Sequence, residues 1–207
     1  MDYDIKTILN KAISFPEYYE EVEQMVKSGK TSGSLQSESL IAYTQLNFQR
    51  MKRLSKTSLV NSELIALIEK TGVKMNWLVI TEAWCGDAAQ NIPYLAKLAK
   101  ETENVNLSLV YRDEHPELMD HYLTNGSKSI PKLIILDEEL KAIAAWGPRP
   151  IEVQKMVMDY RNQLDPKPNY DEFSKTIHKW YTSNKNQMLE QELFAIFRKV
   201  KLKSLAS

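Results

Sequence analysis

Apolar and polar positions alternate with two different periods along the chain, and the period changes twice. Residues 1 to about 72 follow a helical spacing. In "SFPE", Ser14 is placed as an N-cap with Glu17 three residues on, a capping box opening "YYEEVEQMV". Two glycines in "SGKTSGS" (28–34) end that helix. "ESLIAYTQLNFQRMKRL" predicts a long amphipathic helix with Tyr43, Leu46, Met51 and Leu54 on one face. "NSELIALIEKTG" predicts a shorter one stopped at Gly72.

From about 75 to 163 the pattern turns to short β-branched runs between helices. "WLVIT" (77–81) and "VNLSLVY" (105–111) predict strands, with "DAAQNIPYLAKLAKE" as a helix between them. "PELMDHYL" (116–123) predicts a short helix. "KLIILD" and "KAIAAW", separated by Glu138 and Glu139, predict a β-hairpin, and "IEVQKMVMDYRNQL" a closing helix. The sum is an α/β layered domain. After the proline-rich joint "DPKPN" (165–169), two more helices follow, "YDEFSKTIHKWYT" and "NQMLEQELFAIFRKV". The expected organisation is a helical extension over 1–72, an α/β domain over 73–164 and a second helical extension over 165–207.

Composition narrows the class. The 207 residues are 43% hydrophobic and 26% charged, with 27 basic against 27 acidic residues, so nothing points to nucleic acid or to an anionic membrane. Residues 173–207 carry seven Lys/Arg against two Glu, read as the solvated face of a helix packed through Leu193, Phe194 and Phe197. No apolar run reaches the roughly 20 residues of a membrane span, and the N-terminus lacks a signal-peptide core. A single cysteine fits a reducing compartment. The expectation is a cytoplasmic protein. "SGKT" is no phosphate loop, because Gln24 stands where that motif needs glycine and the residues before it are helical. His115 reads as a helix-start residue, and His121 and His178 have no partners at metal-ligand spacing, so no metal site is assigned.

The chemistry concentrates at "EAWCGDAAQNIP" (82–93), where Cys85 sits between a strand and a helix start. Several positions here and downstream resemble the thioredoxin superfamily together. "AWCGDA" stands at the strand–helix junction, Pro93 falls where that family kinks its first long helix, and "DEHPEL" (113–118) resembles the opening of its next helix. "SIPKLIIL" (129–136) resembles the segment carrying the family's cis-proline, with Pro131 46 residues after Cys85, and Gly147 in "AAWGPRP" matches a loop glycine beside the active site. The resemblance covers about 75–163. It implies a thioredoxin-like three-layer fold. Only four strands are legible, so the usual first strand is expected to be missing, with helices in its place.

The resemblance also implies Cys85 as nucleophile, the amides of Asp87 and Ala88 as thiolate stabilisers, and Trp84, Gly86, Ile130, Pro131 and Gly147 as the substrate surface. Arg149, in the loop after Gly147, reads either as an addition to that surface that attracts a carboxylate such as that of glutathione or as an exposed loop arginine with no role. A thiol in the first turn of a helix faces free N–H groups and the positive end of the dipole, which favour the thiolate. Asp87 opposes that charge. Ala88 replaces the resolving cysteine, which excludes dithiol reductase chemistry by this chain alone, and Val79 replaces a buried acid. Glu82 reads as a strand-end carboxylate facing solvent, and Trp146 as a hairpin or core residue.

Two functions stay open, with a third behind them. One is monothiol exchange at Cys85 on a protein or small-molecule disulfide, with an external low-molecular-weight thiol such as glutathione resolving the mixed disulfide. The other is a non-catalytic module capturing extended polypeptide around Trp84 and Pro131, with the thiol a small residue inherited with the scaffold. The third is a glutaredoxin-like iron–sulfur protein using Cys85 and glutathione. No resident cofactor is expected, and the oligomeric state is left open.

Overall fold

Seven consecutive buried or half-buried residues make β1 (Met75–Thr81), the centre of the molecule. A strand apolar on both faces needs cover on both, which is why it runs between neighbours in a layered fold. In a computed structural model, describing residues 3–164 and 166–204, β1 pairs in parallel with β2 (Val105–Tyr111), Met75 opposite Val105 and Thr81 opposite Tyr111. On its other side it runs antiparallel to β3 (Lys132–Leu136), which forms a hairpin with β4 (Ala142–Trp146). The sheet order is β2-β1-β3-β4.

The remaining elements are helical: α1 (Ile5–Lys11), α2 (Phe15–Lys27), α3 (Glu38–Thr57), α4 (Ser62–Glu69), α5 (Gly86–Lys100), α6 (Pro116–Asp120), α7 (Ile151–Asn162), α8 (Tyr170–Asn184) and α9 (Gln187–Ser204). α5 makes the crossover between the parallel strands β1 and β2 and carries Pro93 inside it. Ser14 and Glu17 form the expected capping box of α2, and Gly72 takes φ +69° after α4. Among the described residues no strand precedes β1. Where a further strand would pair with β2, the chain offers one bridge: Ile13 and Leu109 exchange hydrogen bonds of 2.9 and 2.7 Å before α2 begins. Helices α1 and α2 take that edge, as expected.

The face of α3 differs from the expected one. Thr44, Asn47, Phe48 and Met51 are buried, whereas Leu46 is exposed and Tyr43 and Leu54 only half-buried. Polar atoms turned the stripe inward. Thr44 Oγ1 lies 2.6 Å from Thr31 Oγ1, and Asn47 donates to the Ala83 carbonyl, so both are satisfied where they are buried. Hydrophobic periodicity has no term for that.

Both extensions share the core of the sheet. Val22, Phe48, Met51, Leu64 and Ile68 from the N-terminal side and Leu189, Leu193 and Phe197 from α9 belong to one buried cluster with β1 to β3. Phe197 stacks on Trp77 of β1 with centroids 5.6 Å apart. α7 and α8 instead meet in a small cluster of their own, Val153, Ile177 and Tyr181. Asp165, in the expected joint, and residues 205–207 of the basic tail lie outside the described residues. No helix among the described residues is long and apolar enough to cross a membrane.

Candidate active-site corner

The corner between β1 and α5 is held by side chains from the N-terminal extension. Ala83 donates its N–H to Ser32 Oγ at 2.8 Å and accepts from Asn47 Nδ2 at 3.2 Å. Glu82 does not face solvent. It is fully buried, taking the Ser32 hydroxyl on one oxygen and the Asp113 N–H, at 3.0 Å, on the other, and burial raises its carboxyl above the ordinary range. The strand-end position suggested exposure, but the 28–37 segment folds over it. Val79 lies fully buried in β1.

Cys85 is the N-cap of α5 and 8% exposed. Its Sγ accepts the Ala88 N–H at 3.5 Å and donates to the Ile130 carbonyl at 3.3 Å. Burial, reinforced by the Asp87 charge, pushes the thiol up to about 12, against the Ala88 and Asp87 amides and Arg149. The two opposing effects expected at this helix start are thus both present, and burial outweighs the helix-terminal amides. Near neutral pH the group in this conformation is a thiol, not a thiolate.

Asp87 explains part of that. Its carboxylate pairs with Arg149 at 3.0 Å, the two side chains 15% and 14% exposed, and accepts the Tyr181 hydroxyl at 2.7 Å. Burial raises its carboxyl, while Arg149 and Tyr181 pull the other way. Arg149, expected at the substrate surface, is paired with Asp87 beside Cys85. Trp84 is half-buried with the Arg112 guanidinium 4.9 Å above its ring. The Ile130–Pro131 peptide is cis, with both residues buried. Gly147 has φ +113°, and a Cβ there would run into the Pro131 carbonyl oxygen, so only glycine fits this close approach. Trp146 is buried and donates to Glu192 of α9 at 2.6 Å.

Helix α8 lies across the first turns of α5. Tyr181 reaches Asp87 and Asn91, His178 Nδ1 is 3.1 Å from Gln90 Nε2, and a Cβ at Gly86 would be 3.2 Å from His178 Cε1. Burial first, and Arg50 after it, depress the His178 imidazole to about 4. Between α3, α7, α8 and the corner remains a cavity of about 490 Å³, into whose wall Trp84, Cys85, Gly86, Asp87, Ile130 and Arg149 are brought together; Ala88, Pro131 and Gly147 are not on it.

A sequence model described as thioredoxin matches residues 33–161. The chain belongs to this thioredoxin family. The family match takes in α3 and α4 as well as the α/β portion, in keeping with Asn47 holding the thioredoxin corner. No curated protein matches the chain. Two solved structures share the fold over nearly their whole length. An HIV epitope scaffold is 15% identical with TM-score 0.60, 95% of this chain covering 99% of that one. A protein of unknown function from Pseudomonas aeruginosa is 14% identical with TM-score 0.61, 95% covering 98%.

Tyr181, Gln90, Asn91, Arg50, Asn47 and Ser32 were not singled out by sequence, and His178 was weighed there only as a metal ligand. Gln90 and Asn91, polar in the first turns of a core helix, were the one local signal. Their partners lie 88 and 90 residues away, and no periodicity links them. Lys132, buried directly after Pro131 and bonded to Thr124 Oγ1 (2.7 Å) and the Gly147 carbonyl (3.0 Å), was also missed.

Proposed function

We propose that this thioredoxin-like protein is a binding module whose Cys85 thiol is silent in the resting conformation, with a small molecule as ligand in the cavity beside it. One observation carries the reading: the thiol is buried, donates to the Ile130 carbonyl and is pushed up to about 12. At neutral pH such a group supplies almost no nucleophile. The space open at the corner is of small-molecule size. The Pro131 side, where extended polypeptide was expected to pair, is buried, with the Ile130 carbonyl already engaged.

Monothiol exchange is the second reading, favoured by Cys85 lining the cavity at an N-cap with the Ala88 amide pointing at its Sγ. In that reaction the Cys85 thiolate attacks one sulfur of a disulfide. The S–S bond breaks, its electron pair leaves with the departing sulfur, and that sulfur takes up a proton. An external thiol such as glutathione then attacks the mixed disulfide and restores Cys85, being itself oxidised to a disulfide. It needs a more solvated thiol than the resting one.

Reduction of hydroxyethyl disulfide by glutathione separates the two. The binding reading expects no rate above the uncatalysed background from the wild-type protein. Turnover that disappears in Cys85→Ser would establish exchange instead.

A further inference from the structure

We propose that the cavity beside Cys85 binds a small organic anion, its carboxylate or phosphate held by Arg50 and Arg161 and its apolar body set against Tyr43, Trp84 and Tyr170. The inference rests on the binding reading and adds the charge class of the ligand.

Charge accounting in the wall leads to it. Five cationic side chains line the cavity against one carboxylate, Asp87. Three of the five are already neutralised: Arg149 by Asp87, Arg112 by Asp113 and Lys128 by Asp120. Arg50 and Arg161 are left. Arg50 is half-buried and donates to Asn47 Oδ1 at 2.7 Å, a neutral acceptor, and burial together with neighbouring Arg53 disfavours its charge. A guanidinium taken partly out of water without a counter-charge is costly, and a bound anion would relieve that cost. Arg161, an exposed lining residue, has no side-chain hydrogen-bond or ion-pair partner among the described residues.

The guanidinium fork matches carboxylate and phosphate oxygens two at a time, which selects anion over neutral ligand. His178 beside Arg50 is held neutral, so the charge offered to an anion there is that of the guanidinium. The three aromatic residues supply flat apolar wall for the rest of the molecule. With 27 basic and 27 acidic residues in the chain, the positive charge here is a local feature of the cavity, and about 490 Å³ limits the occupant to a small molecule.

Fluorescence titration of the full chain with anilinonaphthalene sulfonate, an aromatic anion, and with N-phenylnaphthylamine, a neutral counterpart, tests this. Expected is saturable one-site binding of the sulfonate, competed by inorganic phosphate. It weakens about tenfold or more in Arg161→Gln, an exposed position whose change leaves folding intact, and in Arg50→Gln. The neutral dye does not respond to either change, and Lys155→Gln, outside the cavity, alters nothing. Equal affinity for the two dyes, or sulfonate binding unchanged in both arginine variants, overturns the anion assignment and leaves the binding reading standing. Absence of saturable binding by either dye overturns both.

Discussion

The Tyr181 hydroxyl donates to the Asp87 carboxylate at 2.7 Å across 94 residues of sequence. That bond, with the Asn91 amide donating to the same hydroxyl at 3.2 Å, fastens α8 to the helix that begins at Cys85. Tyr181→Phe keeps the ring and removes the bond. Losing one donor to a buried carboxylate is expected to cost about 1–3 kcal/mol, measured as a lower urea midpoint at constant slope.

Asp87 also governs the thiol. Asp87→Asn keeps the shape, removes the charge that raises Cys85 and frees Arg149, which lowers it. The alkylation midpoint of Cys85 is expected to fall, with the rate at a fixed mildly alkaline pH rising about tenfold for each pH unit of that fall. Iodoacetamide kinetics across pH read it directly. An unchanged profile would leave burial as the sole cause.

His178 makes stability depend on pH in a defined direction. Its imidazole is depressed from 6.5 to about 4 in the folded protein, so the unfolded chain takes up the proton first. The contribution of neutral His178 is fully present above pH 6.5 and is lost as pH falls from there towards 4. Thermal midpoints of wild type and His178→Gln are expected to converge over that window, with the larger decline in the wild type. Arg50, Gln90 and the Tyr181 ring neighbour the imidazole, and Arg50→Gln is expected to shallow the decline.

Gly147→Ala puts a side chain into a left-handed backbone position and against the Pro131 carbonyl. Because the obstacle is backbone, relief by a rotamer change is closed. A loss of about 2 kcal/mol or more is expected in chemical unfolding.

Phe197→Ala tests whether α9 is part of the folded core. Removing a fully buried ring stacked on Trp77 is expected to cost about 3–5 kcal/mol, with a single cooperative transition retained. A change near zero would make α9 an appendage.

Elements that follow a repeating pattern were legible in the sequence. The strands read at 105–111 and 141–146, the second starting one residue later in the structure, the capping box at Ser14 and the stop at Gly72 came from local residues whose physics is local. The corner itself was found because several matching residues fall at fixed spacings. What escaped was set by contacts far apart in sequence. Glu82 is buried because Ser32, 50 residues earlier, closes over it. Arg149 is paired with Asp87, and α8 packs on the first turns of α5 through Tyr181 and His178. The inward turn of α3 follows from two hydrogen bonds that a hydrophobicity count scores as penalties.

Both backbone polar groups of Ala83 are served by Ser32 and Asn47. The α/β portion therefore has no natural cutting point at residue 73. A fragment starting there would expose Glu82 and strand two main-chain groups at the corner it was meant to isolate. For anyone seeking a minimal version of this protein, the practical unit is set by a serine and an asparagine tens of residues upstream of the cysteine.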